Sequence, residues 1–174
     1  MTPETTVPQP APKPTGKKLR IGWFSFSCCE DSTVVFTELM NDRWELWKKV
    51  LDIRHARVLQ THNVLDQLDV AFIEGALASQ DHVDRVKEIR SKSTKVVAIG
   101  ACACDGVPSA QRNDFDDARR TEIQPILEHF NYLEKVQKLS DVITVDVKIP
   151  GCPMNEKTFL TALDSLLKEF NIVT

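Results

Sequence analysis

The stretch Asp69-Val70-Ala71-Phe72-Ile73-Glu74-Gly75 is a short, nearly continuous apolar run closed by a carboxylate and a glycine. A half-exposed strand alternates apolar and polar residues. A run that is apolar on both faces belongs to a strand covered on both sides, which is the habit of parallel sheets. Working outward, Leu19 to Ser25 behind Lys17-Lys18 reads as the first strand and Arg57-Val58-Leu59 as a weak second. Lys95 to Ile99 reads as the fourth strand and Val142 to Ile149 as the fifth. The intervening stretches have helical spacing. Val34, Val35, Leu39, Trp44, Leu46, Trp47, Val50 and Leu51 follow the capping candidates Asp31, Ser32 and Thr33. Behind Ser79, Val83, Val86 and Ile89 face inward while Asp81, Asp84, Arg85, Lys87 and Arg90 face water. Residues 105–121 lack a clear period, and Ile123 to Val136 reads as a helix with Pro125 in its first turn. Asn155 caps a last helix carrying Phe159, Leu160, Leu163, Leu166, Leu167 and Phe170. Strands alternating with helices predict an α/β fold: a flavodoxin-like open parallel sheet of about five strands with helices on both faces.

The chain has 174 residues, 42% of them hydrophobic, enough for one domain with a core of its own. Residues 1–16 hold five of the nine prolines and almost no large apolar side chain, so they read as a disordered tail ahead of a domain spanning 17–174. A net charge of -3 argues against a general nucleic-acid binder. No apolar run approaches the roughly eighteen residues of a membrane span. The opening residues lack the charged-then-apolar pattern of a secretory signal, so the expected location is the cytoplasm.

Five cysteines fall in three places, each a turn between a strand-like and a helix-like run: Cys28-Cys29, Cys102 with Cys104, and Cys152. In a parallel sheet of this kind such turns converge on one edge. In a reducing compartment, clustered thiols point to metal or redox chemistry, and an odd count fits a disulfide framework badly. Soft thiolates suit an iron–sulfur cluster or zinc. A single cysteine is more often a small core filler, but three groups at one predicted edge weaken that explanation. Zinc on four thiolates competes, although structural zinc sites usually draw on paired C-x₂₋₄-C knuckles and this chain has none. His55, His62, His82 and His129 read as surface residues, and Trp23, Trp44 and Trp47 as core or subunit-contact residues.

Three blocks carry a family resemblance: Phe24-Ser25-Phe26-Ser27-Cys28-Cys29-Glu30, Ala98-Ile99-Gly100-Ala101-Cys102-Ala103, and Pro150-Gly151-Cys152-Pro153. Together with Ile73-Glu74-Gly75 they resemble the small subunit of nickel–iron hydrogenases and the related 20 kDa iron–sulfur subunit of respiratory complex I, over roughly residues 19 to 170. The short chain is similar to the single-cluster soluble type, the sulfhydrogenase and NAD(P)-linked enzymes. The resemblance implies an electron-transfer subunit with one 4Fe–4S cluster, a hydrogenase-type large subunit holding the nickel–iron centre, and additional iron–sulfur or flavin subunits. In the hydrogenases the first block reads Cys-x-x-Cys, which places Ser32 on the second ligand position; tandem cysteines are the complex I pattern. The implied ligands are therefore Cys28, Cys29, Cys102 and Cys152. Cys104 is left as a buried thiol or an alternative ligand in another redox state. Two adjacent ligands imply a strained backbone at Cys28–Cys29. Glu74 stands between two roles, a proton relay near the cluster and an acceptor for helix N-terminal N–H groups, while Glu30 and Asp31 read as caps. Two alternatives stay open: the same role in a complex I-like or hydrogenase-like oxidoreductase lacking nickel, and a zinc-stabilised flavodoxin-like binding module.

Overall fold

The computed structural model describes residues 14–174. The first strand, β1 (Leu19–Ser25), leads into the long helix α1 (Asp31–Val50) and, with no loop, into β2 (Leu51–Ala56). Next come β3 (Leu68–Glu74), the short β4 (Leu77–Ser79), helix α2 (Gln80–Ser91) and β5 (Ser93–Ile99). Helix α3 (Gly100–Asp105) follows β5 directly, then α4 (Asp117–His129), β6 (Tyr132–Gln137), β7 (Val147–Ile149) and α5 (Glu156–Glu169). Five strands form one parallel sheet in the order β2-β1-β3-β5-β7, the flavodoxin-like winding expected from the sequence. A separate antiparallel pair joins β4 to β6.

Alternate residues of the central strands feed two cores. Trp23, Val70, Phe72, Val97 and Ile99 pack with Phe36, Leu39 and Trp47 of α1 and Phe159, Leu163 and Leu166 of α5. Phe24, Ala71, Ile73, Val96 and Ala98 pack with Val83, Val86 and Ile89 of α2 on the opposite side. Every residue of β3 is buried, which is why its sequence carries no polar alternation.

Several boundaries differ from expectation. The second strand is Leu51–Ala56, six residues before the Arg57-Val58-Leu59 run, where Val58 is 55% exposed in a turn. As an edge strand paired only with β1, it tolerates Asp52 and Arg54, and those charges hide its pattern. The helix expected over Ile123–Val136 starts at Asp117, capped by the Asp116 side chain accepting the Arg119 N–H, and stops at His129. Asn131 takes a left-handed backbone (φ 52°), which asparagine tolerates, and the chain turns into β6 instead. Pro125 sits in the third turn, where the carbonyl left without a donor belongs to exposed Thr121 and is open to water. The fifth strand keeps only Val147–Ile149 of the expected Val142–Ile149; Val142, Ile143 and Val145 pack on the α2-side core from irregular backbone. Most of the proline-rich segment lies outside the described residues. Its end is seen, with Thr15 donating its N–H to the Ile172 carbonyl at 2.9 Å.

Asp69 fastens the start of β3 to β1. Its carboxylate accepts the Arg20 backbone N–H at 2.8 Å and the Arg20 guanidinium at 2.7 Å. Burial works to raise its pKa, but the hydrogen bonds and charge of Arg20 outweigh that and hold it below the ordinary carboxylate value. Stability from a depressed carboxylate is present above the unfolded pKa of about 3.9 and is lost as pH falls through the folded value. Asp69→Asn is expected to cost about 1–2 kcal/mol at neutral pH and to flatten the loss of stability below about pH 4. Urea unfolding at neutral and acid pH measures both; a variant with the wild-type acid limb would show that Asp69 contributes nothing there.

Candidate functional site

Three turns leave the carboxyl ends of β1, β5 and β7, and each carries cysteine. The first, residues 26–30, is stitched to the end of β3: Phe26 N–H donates to the Glu74 carbonyl at 2.9 Å, and Ser27 and Ala76 exchange two N–H···O bonds at 3.0 Å. The second is α3 itself, which begins at Gly100 and so places Cys102 within its first turn. Ala101 N–H reaches the Gly151 carbonyl of the third turn at 2.7 Å. Ser32 of α1 accepts the Met154 N–H at 3.2 Å and ties the first turn to the third. Cys28, Cys29, Cys102 and Cys152 consequently line one small cleft, together with Asp31, Ser32, Glu74, Gly100 and Gly151.

Two glycines permit this closeness. Gly151 has φ +123°, and a Cβ there would stand 2.5 Å from the Pro153 carbonyl oxygen; at Gly100 (φ +78°) it would stand 3.0 Å from Ser32 Oγ. Only glycine lets these turns lie against their neighbours without displacing them.

Glu74 is 3% exposed, and both its oxygens are engaged. Oε1 accepts the Ser32 N–H at 3.1 Å, and Oε2 accepts the Thr33 N–H at 3.1 Å and the Thr33 hydroxyl at 2.7 Å. Thr33 Oγ1 in turn accepts the Trp23 indole N–H at 2.8 Å. The cap of α1 is therefore a carboxylate from β3. Neither Glu30 nor Asp31 supplies the expected local cap: Glu30 occupies the N-cap position without a side-chain bond. Its backbone is left-handed (φ 63°), so this unusual geometry falls one residue beyond the cysteine pair rather than on it.

The cysteines differ in setting. Cys29 and Cys152 are exposed, Cys28 is half-buried and Cys102 is buried. Burial, reinforced by the Glu74 carboxylate, pushes the Cys28 thiol up to about 12. Its S–H points to the Phe26 carbonyl at 3.7 Å. Cys104 lies apart from the cleft, in the core on the α2 side, with its S–H on the Ala98 carbonyl at 3.6 Å and burial raising its pKa to about 11. Ser109, overlooked in the sequence because the 105–121 region has no period, stands 3.2 Å from the Cys102 sulfur.

The histidines do not all lie at the surface as expected. His55 is 8% exposed, stacks on Phe24 and hydrogen-bonds the Trp23 carbonyl through Nδ1 at 3.2 Å. His82 accepts the Ala78 N–H on Nδ1 at 3.3 Å. Both line a cavity of about 600 Å³ beside the β1 tip that contains none of the cysteines. Trp23 and Trp47 are core residues, whereas Trp44 is 49% exposed.

The donors suit some metal groups better than others. Four thiols from three turns around a shared cleft form an all-sulfur donor set, which suits soft metals and iron–sulfur groups.

The chain matches the family model described as NADH ubiquinone oxidoreductase, 20 Kd subunit, over residues 28–166. It is 33% identical over 139 residues to the coenzyme F420 hydrogenase subunit gamma of Methanosarcina barkeri, covering 78% of this chain and 49% of that protein. To the NAD-reducing hydrogenase HoxS subunit delta of Cupriavidus necator it is 22% identical over 166 residues, covering 86% and 79% respectively. A solved structure of NAD+-reducing NiFe-hydrogenase in the H2-reduced state superposes with a TM-score of 0.75 at 26% identity, covering 87% of this chain and 92% of that one. The chain spans about half the length of the first curated relatives it matches.

Proposed function

The chain belongs to the NADH ubiquinone oxidoreductase 20 Kd subunit family, and from that membership we propose that it is the electron-transfer small subunit of a multi-subunit nickel–iron hydrogenase, holding one 4Fe–4S cluster on Cys28, Cys29, Cys102 and Cys152. The observation that supports this best is the single cleft shared by four thiols from three distant turns. Bound there, the cluster supplies a one-electron store between a large subunit's active site and further iron–sulfur or flavin subunits. The protein's part is to hold the donors. The stitched turns keep Cys102 and Cys152 together, and Glu74 fixes the start of α1 beside Cys28 and Cys29. Because burial keeps Cys28 protonated, ligation must displace its proton, and loading releases protons as it proceeds. With both oxygens committed to α1, Glu74 serves as a positioning group rather than a proton relay. Cys104, held on the Ala98 carbonyl, stays outside the ligand set.

No helix among the described residues is long and apolar enough to cross a membrane. The clustered free cysteines support a reducing compartment, the cytoplasm, as the location. The tandem cysteines and the family model favour, as a second reading, an assembly of the same kind whose large subunit lacks nickel. Anaerobic purification of the intact complex, with iron, nickel and flavin analysis, tests both. Brown protein whose broad visible absorbance bleaches with dithionite, with about four irons per copy of this chain beyond those its partner subunits hold, is expected. Nickel in the large subunit separates the first reading from the second. Colourless protein with stoichiometric zinc would overturn both and leave a zinc-stabilised binding module.

A further inference from the structure

We propose that Ser109 is a rotating hydrogen-bond donor to the Cys102 sulfur that raises the affinity of the cleft for an electron; this rests on the cluster-binding reading above. Ser109 Oγ lies 2.7 Å from the Ser27 carbonyl oxygen and 3.2 Å from Cys102 Sγ. A hydroxyl has one hydrogen for these two neighbours. Ser109 is the donor in both contacts, so its single hydrogen is shared between the Ser27 carbonyl and Cys102 Sγ. A metal-bound sulfur has no proton to give and can only accept. The hydroxyl is free to turn toward it, because the Ser27 carbonyl also accepts the Ala76 N–H at 3.0 Å and is not left unsatisfied.

The surroundings make the contact effective. Cys102 is 6% exposed and packs among Ala76, Ala78 and Val136, with Ala110 against them. Little water screens a dipole in such a place. Ser109 is held firmly: Ala110 N–H closes the turn on the Gly106 carbonyl at 2.8 Å, and the Asn113 side chain makes two 2.8 Å bonds to the Val136 backbone. Among the described residues no other side-chain donor bonds to any of the four sulfurs. An added electron makes the ligand sulfurs more negative, so a donor there stabilises the reduced state more than the oxidised state. One electron is taken up, from dithionite in the assay, and no bond of the protein is made or broken.

The test is an anaerobic redox titration of the intact complex, followed by EPR and visible absorbance, for wild type, Ser109→Ala and Ser109→Thr. Ser109→Ala is expected to bind iron like wild type but to take up the electron about tenfold less favourably, a potential about 59 mV lower for a one-electron couple. Ser109→Thr keeps the hydroxyl and is expected to restore the wild-type potential. An unchanged or raised potential in Ser109→Ala overturns the proposal. Loss of iron in that variant overturns it too, since Ser109 would then be a loading or packing residue, and so does an equal drop in Ser109→Thr. Wild-type complex without iron defeats the cluster-binding reading itself, an outcome distinct from all of these.

Discussion

Replacement of Glu74 by alanine is expected to destabilise the full, iron-free chain by about 3 kcal/mol, roughly a hundredfold in its folding equilibrium. Three donors lose their acceptor at once, two of them backbone N–H groups in the first turn of α1. A hydrogen bond to a charged group contributes about 1.5–3 kcal/mol, and an orphaned buried donor carries its own penalty. The loss spreads through Thr33 to the Trp23 indole, so the core on that face loosens as well. Glu74→Gln keeps one acceptor but turns an amide N–H toward a donor, and about 2 kcal/mol is expected for it. Urea unfolding under reducing, anaerobic conditions reads both values, provided the slope is unchanged. A proton relay without a structural role predicts the opposite pattern: both variants as stable as wild type, with turnover lost. Wild-type midpoints for the two variants would remove the capping role.

The second large effect concerns iron. Serine at Cys28, Cys29, Cys102 or Cys152 is expected to cut bound iron by at least half, because a hydroxyl is a far poorer ligand for iron than a thiolate. Cys104→Ser is expected to bind the wild-type amount, since its sulfur faces the Ala98 carbonyl in the core. Iron per chain and visible absorbance after anaerobic purification give the answer directly. If Cys104→Ser loses iron while Cys28→Ser keeps it, the fourth thiolate comes from Cys104, and the tandem pair is not a double ligand.

The parallel sheet was legible because β3 and β5 are apolar on both faces and each ends at a glycine or a cysteine turn. Ser79 and Asn155 announced α2 and α5 through local caps, and both side chains make the expected bonds. Placing the cysteines at one edge needed only the winding order. What escaped was whatever depended on distant partners. The cap of α1 comes from a strand about forty residues away, so nothing near Asp31 reveals it. Arg57-Val58-Leu59 looked more strand-like than Leu51–Ala56 because an edge strand can carry charge. The apolar residues of 123–136 fit a helical repeat by chance of spacing, while the left-handed Asn131 that ends α4 is a conformation and not a composition. Ser32 reads in the sequence as a capping residue, whereas its hydroxyl joins α1 to the turn after β7.

The bonds from Thr15 to Asn171 and Ile172 bring the two described ends of the chain together. They meet beside the amino end of β1, because α5 runs back from the Cys152 turn across the whole height of the sheet. A probe attached beside Val173 therefore sits on the side remote from the thiols and leaves the pole that carries them unobstructed.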